Sequence, residues 1–102
     1  AFDNGQFGDS IYYTYASFIS GAKALLLDKQ VHVNTHHTLI NDFDKYFVEP
    51  QFIVLQSSFR DLVLQINQNE PSKEFAEKYF SQAQLFLNQV KTYREKSTLV
   101  LN

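Results

Sequence analysis

The stretch FAEKYFSQAQLFLNQVKTY, residues 75–93, decides the fold. Phe75, Ala76, Tyr79, Phe80, Ala83, Phe86, Leu87, Val90 and Tyr93 recur at intervals of three and four, which places them on one face of an α-helix. A stripe of that width needs apolar partners, and three further segments supply them. The chain therefore reads as all-α, an up-and-down antiparallel four-helix bundle forming one domain over residues 1–102. Helices are predicted over 9–29, 35–48, 51–68 and 71–96, joined by connections of a few residues.

Upstream of the stripe, Pro71 and Glu74 open the fourth helix, because proline loses no hydrogen bond in a first turn and an acid meets the positive end of the dipole. The run Asn67-Gln68-Asn69-Glu70-Pro71 makes the preceding turn. A third helix buries Phe52, Leu55, Phe59, Leu62, Val63 and Ile66. Pro50 ends the second helix, since the residue before a proline is pushed out of helical geometry. That helix is capped by Asn34 or Thr35; it turns Leu39, Ile40, Phe43, Tyr46 and Phe47 inward and leaves Asn41, Asp42, Asp44 and Lys45 outside. Val31 and Val33 alternate with His32 and Asn34 in an extended connection.

The first helix, capped by Asp9 or Ser10, is apolar around most of its circumference: Ile11, Tyr15, Phe18, Ala22 and Leu25 form one stripe, and Tyr12, Ile19, Leu26 and Leu27 a second. Such a helix belongs in the middle of a bundle or in an interface. Ala16, Ser17, Ser20, Gly21 and Ala24 let neighbouring backbones approach it. Ala1 to Gly8 is expected to be the frayed remnant of a preceding element, and Ser97 to Asn102 either a short strap or disordered.

Composition bounds the function. One domain of 102 residues buries roughly two-thirds of its unfolded surface and folds without a metal or disulfide. There is no Cys, which removes thiolate metal sites and thiol nucleophiles and agrees with a reducing, cytoplasmic setting. There is also no Met, so the chain is read as excised from a longer protein. No signal peptide or membrane span is legible. Nine basic against eleven acidic side chains, a net charge of −2, argue against nonspecific nucleic-acid binding. Lys91, Arg94 and Lys96 cluster where cations in a last helical turn face the negative end of the dipole.

The motifs carry little chemistry. His32 falls in the extended connection and His36 in a first helical turn, so the two do not share a helix face as metal ligands would, and no metal site is assigned. Asp42, Asp44 and Glu49 mix with Lys45 and Asn41 as a solvated face rather than an acid–base pair. Ser10, Ser17 and Ser20 have no spaced partners, glycine-rich phosphate loops are missing, and no catalytic residue is assigned. Tyr12, Tyr13 and Tyr15 read first as core residues with hydroxyls at a rim.

Between Asp9 and Val48, Tyr12-Tyr13-x-Tyr15-Ala16-x-Phe18, Ala22-Lys23-Ala24-Leu25-Leu26, the helix start Thr35-His36 and Phe43-x-x-x-Phe47-Val48 resemble the HEPN family of small helical domains. Ribonuclease members of that family carry Arg, four to six residues, then His. Here Arg60 and Arg94 both follow all three histidines, so no catalytic residue carries over. Arg60 reads as a rim side chain. The phrases Asp9-Ser10-Ile11-Tyr12-Tyr13, Ile40-Asn41-Asp42-Phe43-Asp44-Lys45-Tyr46-Phe47-Val48 and Leu64-Gln65-Ile66-Asn67-Gln68-Asn69-Glu70-Pro71 further resemble the HEPN-type appendage at the C-terminus of bacterial sulfite/nitrite reductases. That resemblance implies a non-catalytic accessory domain whose parent oxidoreductase holds the sirohaem and the 4Fe–4S cluster. Its partners would be the parent enzyme or a second copy, met through apolar helix faces. The alternative is a HEPN-type RNA- or nucleotide-binding domain, a ribonuclease or toxin–antitoxin partner with a degenerate motif, using a groove of Tyr12, Tyr15, His36, His37 and Arg60.

Overall fold

A computed structural model describes the backbone of residues 4–101 and the side chains of residues 7–96. Those residues form four α-helices and no strand: α1 (Asn4–Asp28), α2 (His36–Phe43), α3 (Phe59–Val63) and α4 (Lys73–Leu101). A π turn, Asp44–Val48, continues α2, and a 3-10 turn, Leu64–Asn67, continues α3. The long helices α1 and α4 pack on each other, α2 lies against α1, and α3 against α2.

At the centre, each helix contributes one phenylalanine. Phe18, Phe43, Phe59 and Phe86 are all sealed from solvent, and the Phe43 and Phe59 centroids are 4.5 Å apart. Phe86 lies 5.2 Å from Phe59, 5.4 Å from Phe18 and 5.5 Å from Phe43. Tilted and edge-on rings at these separations add pair energy of about 0.5–1.5 kcal/mol beyond the area they bury. The close approach of α1 and α4 depends on Gly21, where a Cβ would come within 3.0 Å of both Leu87 Cδ2 and Phe86 Cε2.

Caps set most boundaries. Thr35 accepts the Thr38 N–H at 3.1 Å, Ser58 the Asp61 N–H at 3.0 Å and Ser72 the Phe75 N–H at 3.1 Å. α1 ends in a Schellman motif, in which Val31 N–H donates to the Leu26 carbonyl and Gln30 N–H to that of Leu27, with Gln30 left-handed at φ 64°.

Several expectations are corrected. α1 starts at Asn4, so Asp9 and Ser10 are interior helical residues and not its cap, while Ala1 to Asp3 lie outside the described residues. The helix expected over 51–68 is helical only from Phe59, because Gln51 takes φ 66° and residues 52–58 run without helix. Glu49 is itself helical, at φ −60° and ψ −45°, so Pro50 does not act by expelling its predecessor. α4 is capped by Ser72 and begins at Lys73 instead of Pro71, and it continues to Leu101, past the expected end at 96. Lys91, Arg94 and Lys96 are therefore not last-turn cations; Arg94 Nε pairs with Asp28 Oδ2 at 2.9 Å across to α1. Five aromatics assigned to buried positions stand open instead: Tyr13 is 77% exposed, Tyr12 64%, Phe80 53%, Phe52 52% and Tyr46 37%.

Candidate functional site

Three of the five residues expected in a groove come together. The Tyr15 hydroxyl and His36 Nδ1 share a 3.0 Å hydrogen bond, their rings are 5.8 Å apart, and the Tyr12 ring lies 6.1 Å from that of Tyr15. Desolvation, and secondarily the neighbouring Tyr12, hold the Tyr15 hydroxyl pKa above its ordinary value. His37 is engaged elsewhere, its Nε2 3.2 Å from Asn41 Nδ2 one turn along α2. Arg60 is placed by its backbone, whose N–H donates to Asp44 Oδ2 at 3.0 Å. The Tyr12–Tyr15–His36 group is thus a polar-edged aromatic surface. Among the described residues no three His, Asp or Glu side chains gather as metal ligands.

The better-formed concavity lies where the third helix was expected. Two adjoining cavities of about 510 and 500 Å³ run between α4 and the non-helical segment 52–57, and they share Leu85 and Gln89 as lining. Both fall within the range of ligand and peptide sites. Gln89 builds the wall: its Nε2 donates to the Val54 carbonyl at 2.7 Å, and the Val54 N–H donates to its Oε1 at 2.8 Å. Seven residues earlier on the same face of α4, Gln82 Oε1 accepts from Gln65 Nε2 at 2.9 Å, and Gln65 also donates to the Leu62 carbonyl at 2.8 Å.

The extended segment turns alternate side chains in opposite directions. Ile53 is fully buried, whereas Phe52 and Val54, the latter 66% exposed, border the groove with Leu85, also 66% exposed. Phe52 and the buried Phe47 share the Lys29 ammonium, which sits 4.9 and 5.2 Å from their centroids, and Tyr93 packs edge-on to both rings. Asp61 and Lys96 are the charged side chains among the residues lining the two cavities, one in each. A smaller cavity of about 210 Å³ lies between α1 and α4, bordered by the exposed Tyr13 and Phe80.

No family model, curated protein or solved structure matches this chain. The site therefore rests on its own geometry. Its floor of Leu62 and Phe86 is apolar, the amides of Gln65 and Gln82 are bonded to each other, and those of Gln65 and Gln89 are bonded to the backbone of Leu62 and Val54.

Two signals of this groove were present in the sequence. Ile53-Val54 is a β-branched pair inside the unbroken apolar run from Phe52 to Leu55, and Ser58-x-x-Asp61 places the first helical residue, Phe59, eight positions after the expected start at 51. Asp44, expected on a solvated face, instead accepts the N–H groups of Phe59 at 2.6 Å and Arg60 at 3.0 Å, anchoring the start of α3. No short-range pattern marks that bond, which spans fifteen residues.

Proposed function

We propose that this chain is a helical interaction domain that works by apolar adhesion to a partner rather than by making or breaking bonds. The observation that carries this is the side-by-side exposure of Phe52, Val54 and Leu85 around a groove whose floor is apolar. Leaving three large apolar side chains in water on one face is a cost that partner contact removes. The polar side chains around them are committed to the chain's own structure, as Gln89 to Val54 and Gln65 to Leu62 illustrate.

The sequence resemblance extends the proposal: a HEPN-like up-and-down bundle, carried in the cytoplasm as the C-terminal accessory module of a sulfite/nitrite reductase-type enzyme that holds its own sirohaem and iron–sulfur cluster. Among the described residues no helix is long and apolar enough to cross a membrane. A second reading, RNA or nucleotide binding, is favoured by one observation, the Tyr12–Tyr15–His36 surface, whose rings are available for stacking.

Incubating the purified chain with RNA and with ATP, and following cleavage and thermal shift, separates the two. An interaction domain gives neither. Turnover abolished by changing one polar side chain overturns the proposal, and a thermal shift lost on Tyr12→Ala transfers it to the nucleotide reading.

A further inference from the structure

We infer that the occupant of the α4 groove is a second copy of this chain, seated antiparallel across a two-fold axis near Leu85 and Gln89. The inference rests on the interaction reading above and names its face and partner. Its ground is the division of charge between the two adjoining cavities. Asp61 lines one, Lys96 lines the other, and Phe52, Val54 and Leu85 stand exposed around them. From Gln82 to Lys96 this face of α4 runs roughly 21 Å at the helical rise per residue.

A two-fold axis through the middle of such a strip exchanges the two cavities. Asp61 of each copy then faces Lys96 of the other, so the charge match forms twice while the apolar side chains meet at the centre. Isologous contact requires that self-complementarity: whatever one cavity presents, the other must accept. A parallel arrangement sets like charges together at both cavities. The rival exposed face, around Tyr13 and Phe80, has no charged side chain in its cavity lining, and nothing there specifies what covers it.

Gln89 strengthens the case for a fixed surface. By holding both polar groups of the Val54 peptide, it keeps Phe52 and Val54 presented on an ordered segment, so little ordering entropy is lost on contact.

The test is sedimentation of the whole chain over a concentration series, with circular dichroism to verify folding. A reversible dimer is expected. Leu85→Asp, at an exposed position outside the core, weakens it by about tenfold or more, as loss of a central anchor does. Asp61→Lys and Lys96→Glu each weaken it by placing like charges at both rims, and the two combined in one chain restore it. A chain that stays monomeric up to roughly 1 mM, or a dimer indifferent to Leu85→Asp, overturns the inference. A dimer broken by Tyr13→Asp but not by Leu85→Asp overturns the assigned face while the interaction reading stands. Turnover by the isolated chain overturns that reading itself.

Discussion

The side chain of Gln89 on α4 pairs with both the N–H and the carbonyl of Val54, thirty-five residues away, at 2.8 and 2.7 Å. One glutamine thereby takes the place of a neighbouring strand for a peptide that belongs to no sheet. Gln89→Ala leaves both groups to water and is expected to cost about 1–2 kcal/mol, two neutral hydrogen bonds at a partly open site. Urea unfolding measures the loss. Hydrogen exchange localises it, with the Val54 amide losing protection while the Phe86 amide keeps it.

Two glycines of α1 are expected to respond to alanine with opposite signs. A Cβ at Gly8 meets nothing within 4 Å, so Gly8→Ala stabilises by roughly 0.5–1 kcal/mol through the backbone freedom it removes from the unfolded chain. At Gly21 the same methyl lies 3.0 Å from Leu87 Cδ2 and from Phe86 Cε2. Leu87 is half-buried and can swing aside, but the Phe86 ring is locked among Phe18, Phe43 and Phe59. Overpacking of about 1–3 kcal/mol outweighs a helix-propensity gain of about 1 kcal/mol, and thermal melts of Gly21→Ala shift downward.

Tyr79 is sealed in the core, where its hydroxyl donates to the Val63 carbonyl at 2.6 Å. Tyr79→Phe is expected to cost about 1–2 kcal/mol. Burial first, and the nearby Tyr15 second, raise the hydroxyl pKa above its ordinary value. Below about pH 10 both folded and unfolded chains keep the proton, and the stability from this group is whole. Above that pH the unfolded chain ionises first, so stability falls by up to about 1.4 kcal/mol per pH unit until the folded pKa is reached. Melting curves between pH 8 and 11 show this decline, and Tyr79→Phe flattens it. Tyr15, raised in the same direction, leaves a smaller residual slope.

Gln30 closes the Schellman motif of α1 in a left-handed conformation, φ 64°, that costs an L-residue about 1–2 kcal/mol. Glycine relieves the strain but enlarges the unfolded ensemble by about 0.4–1 kcal/mol. Gln30→Gly should therefore stabilise by about 0.5–1 kcal/mol, read as a melting temperature several degrees higher.

Of the expected groove residues, Tyr12, Tyr15 and His36 meet on one surface, while His37 turns to Asn41 and Arg60 is anchored through its backbone. Tyr15 and Tyr12 were legible as neighbours because they lie three apart on one helix. His36 joins them across twenty-one residues, a meeting that the connection after α1 decides. The 51–68 misreading has a comparable source. Phe52, Leu55, Phe59 and Leu62 satisfy helical spacing by coincidence, and apolar periodicity does not register that Ile53, off that stripe, is the fully buried residue.

By itself the sequence determined that the chain is helical, that α2 opens at Asn34 or Thr35 and that Phe75, Tyr79, Ala83, Phe86 and Val90 face inward. Caps and three-to-four spacing act within a turn or two, so they are written locally. Only the tertiary structure decided that residues 52–58 leave the helix, that Phe52, Val54 and Leu85 share an open groove, and that Asp44 holds the start of α3. Those outcomes depend on bonds such as Gln89 to Val54 and Asp44 to Phe59, which satisfy backbone groups from far along the chain. A polar group's distant partner is chosen by packing, after the helices have met.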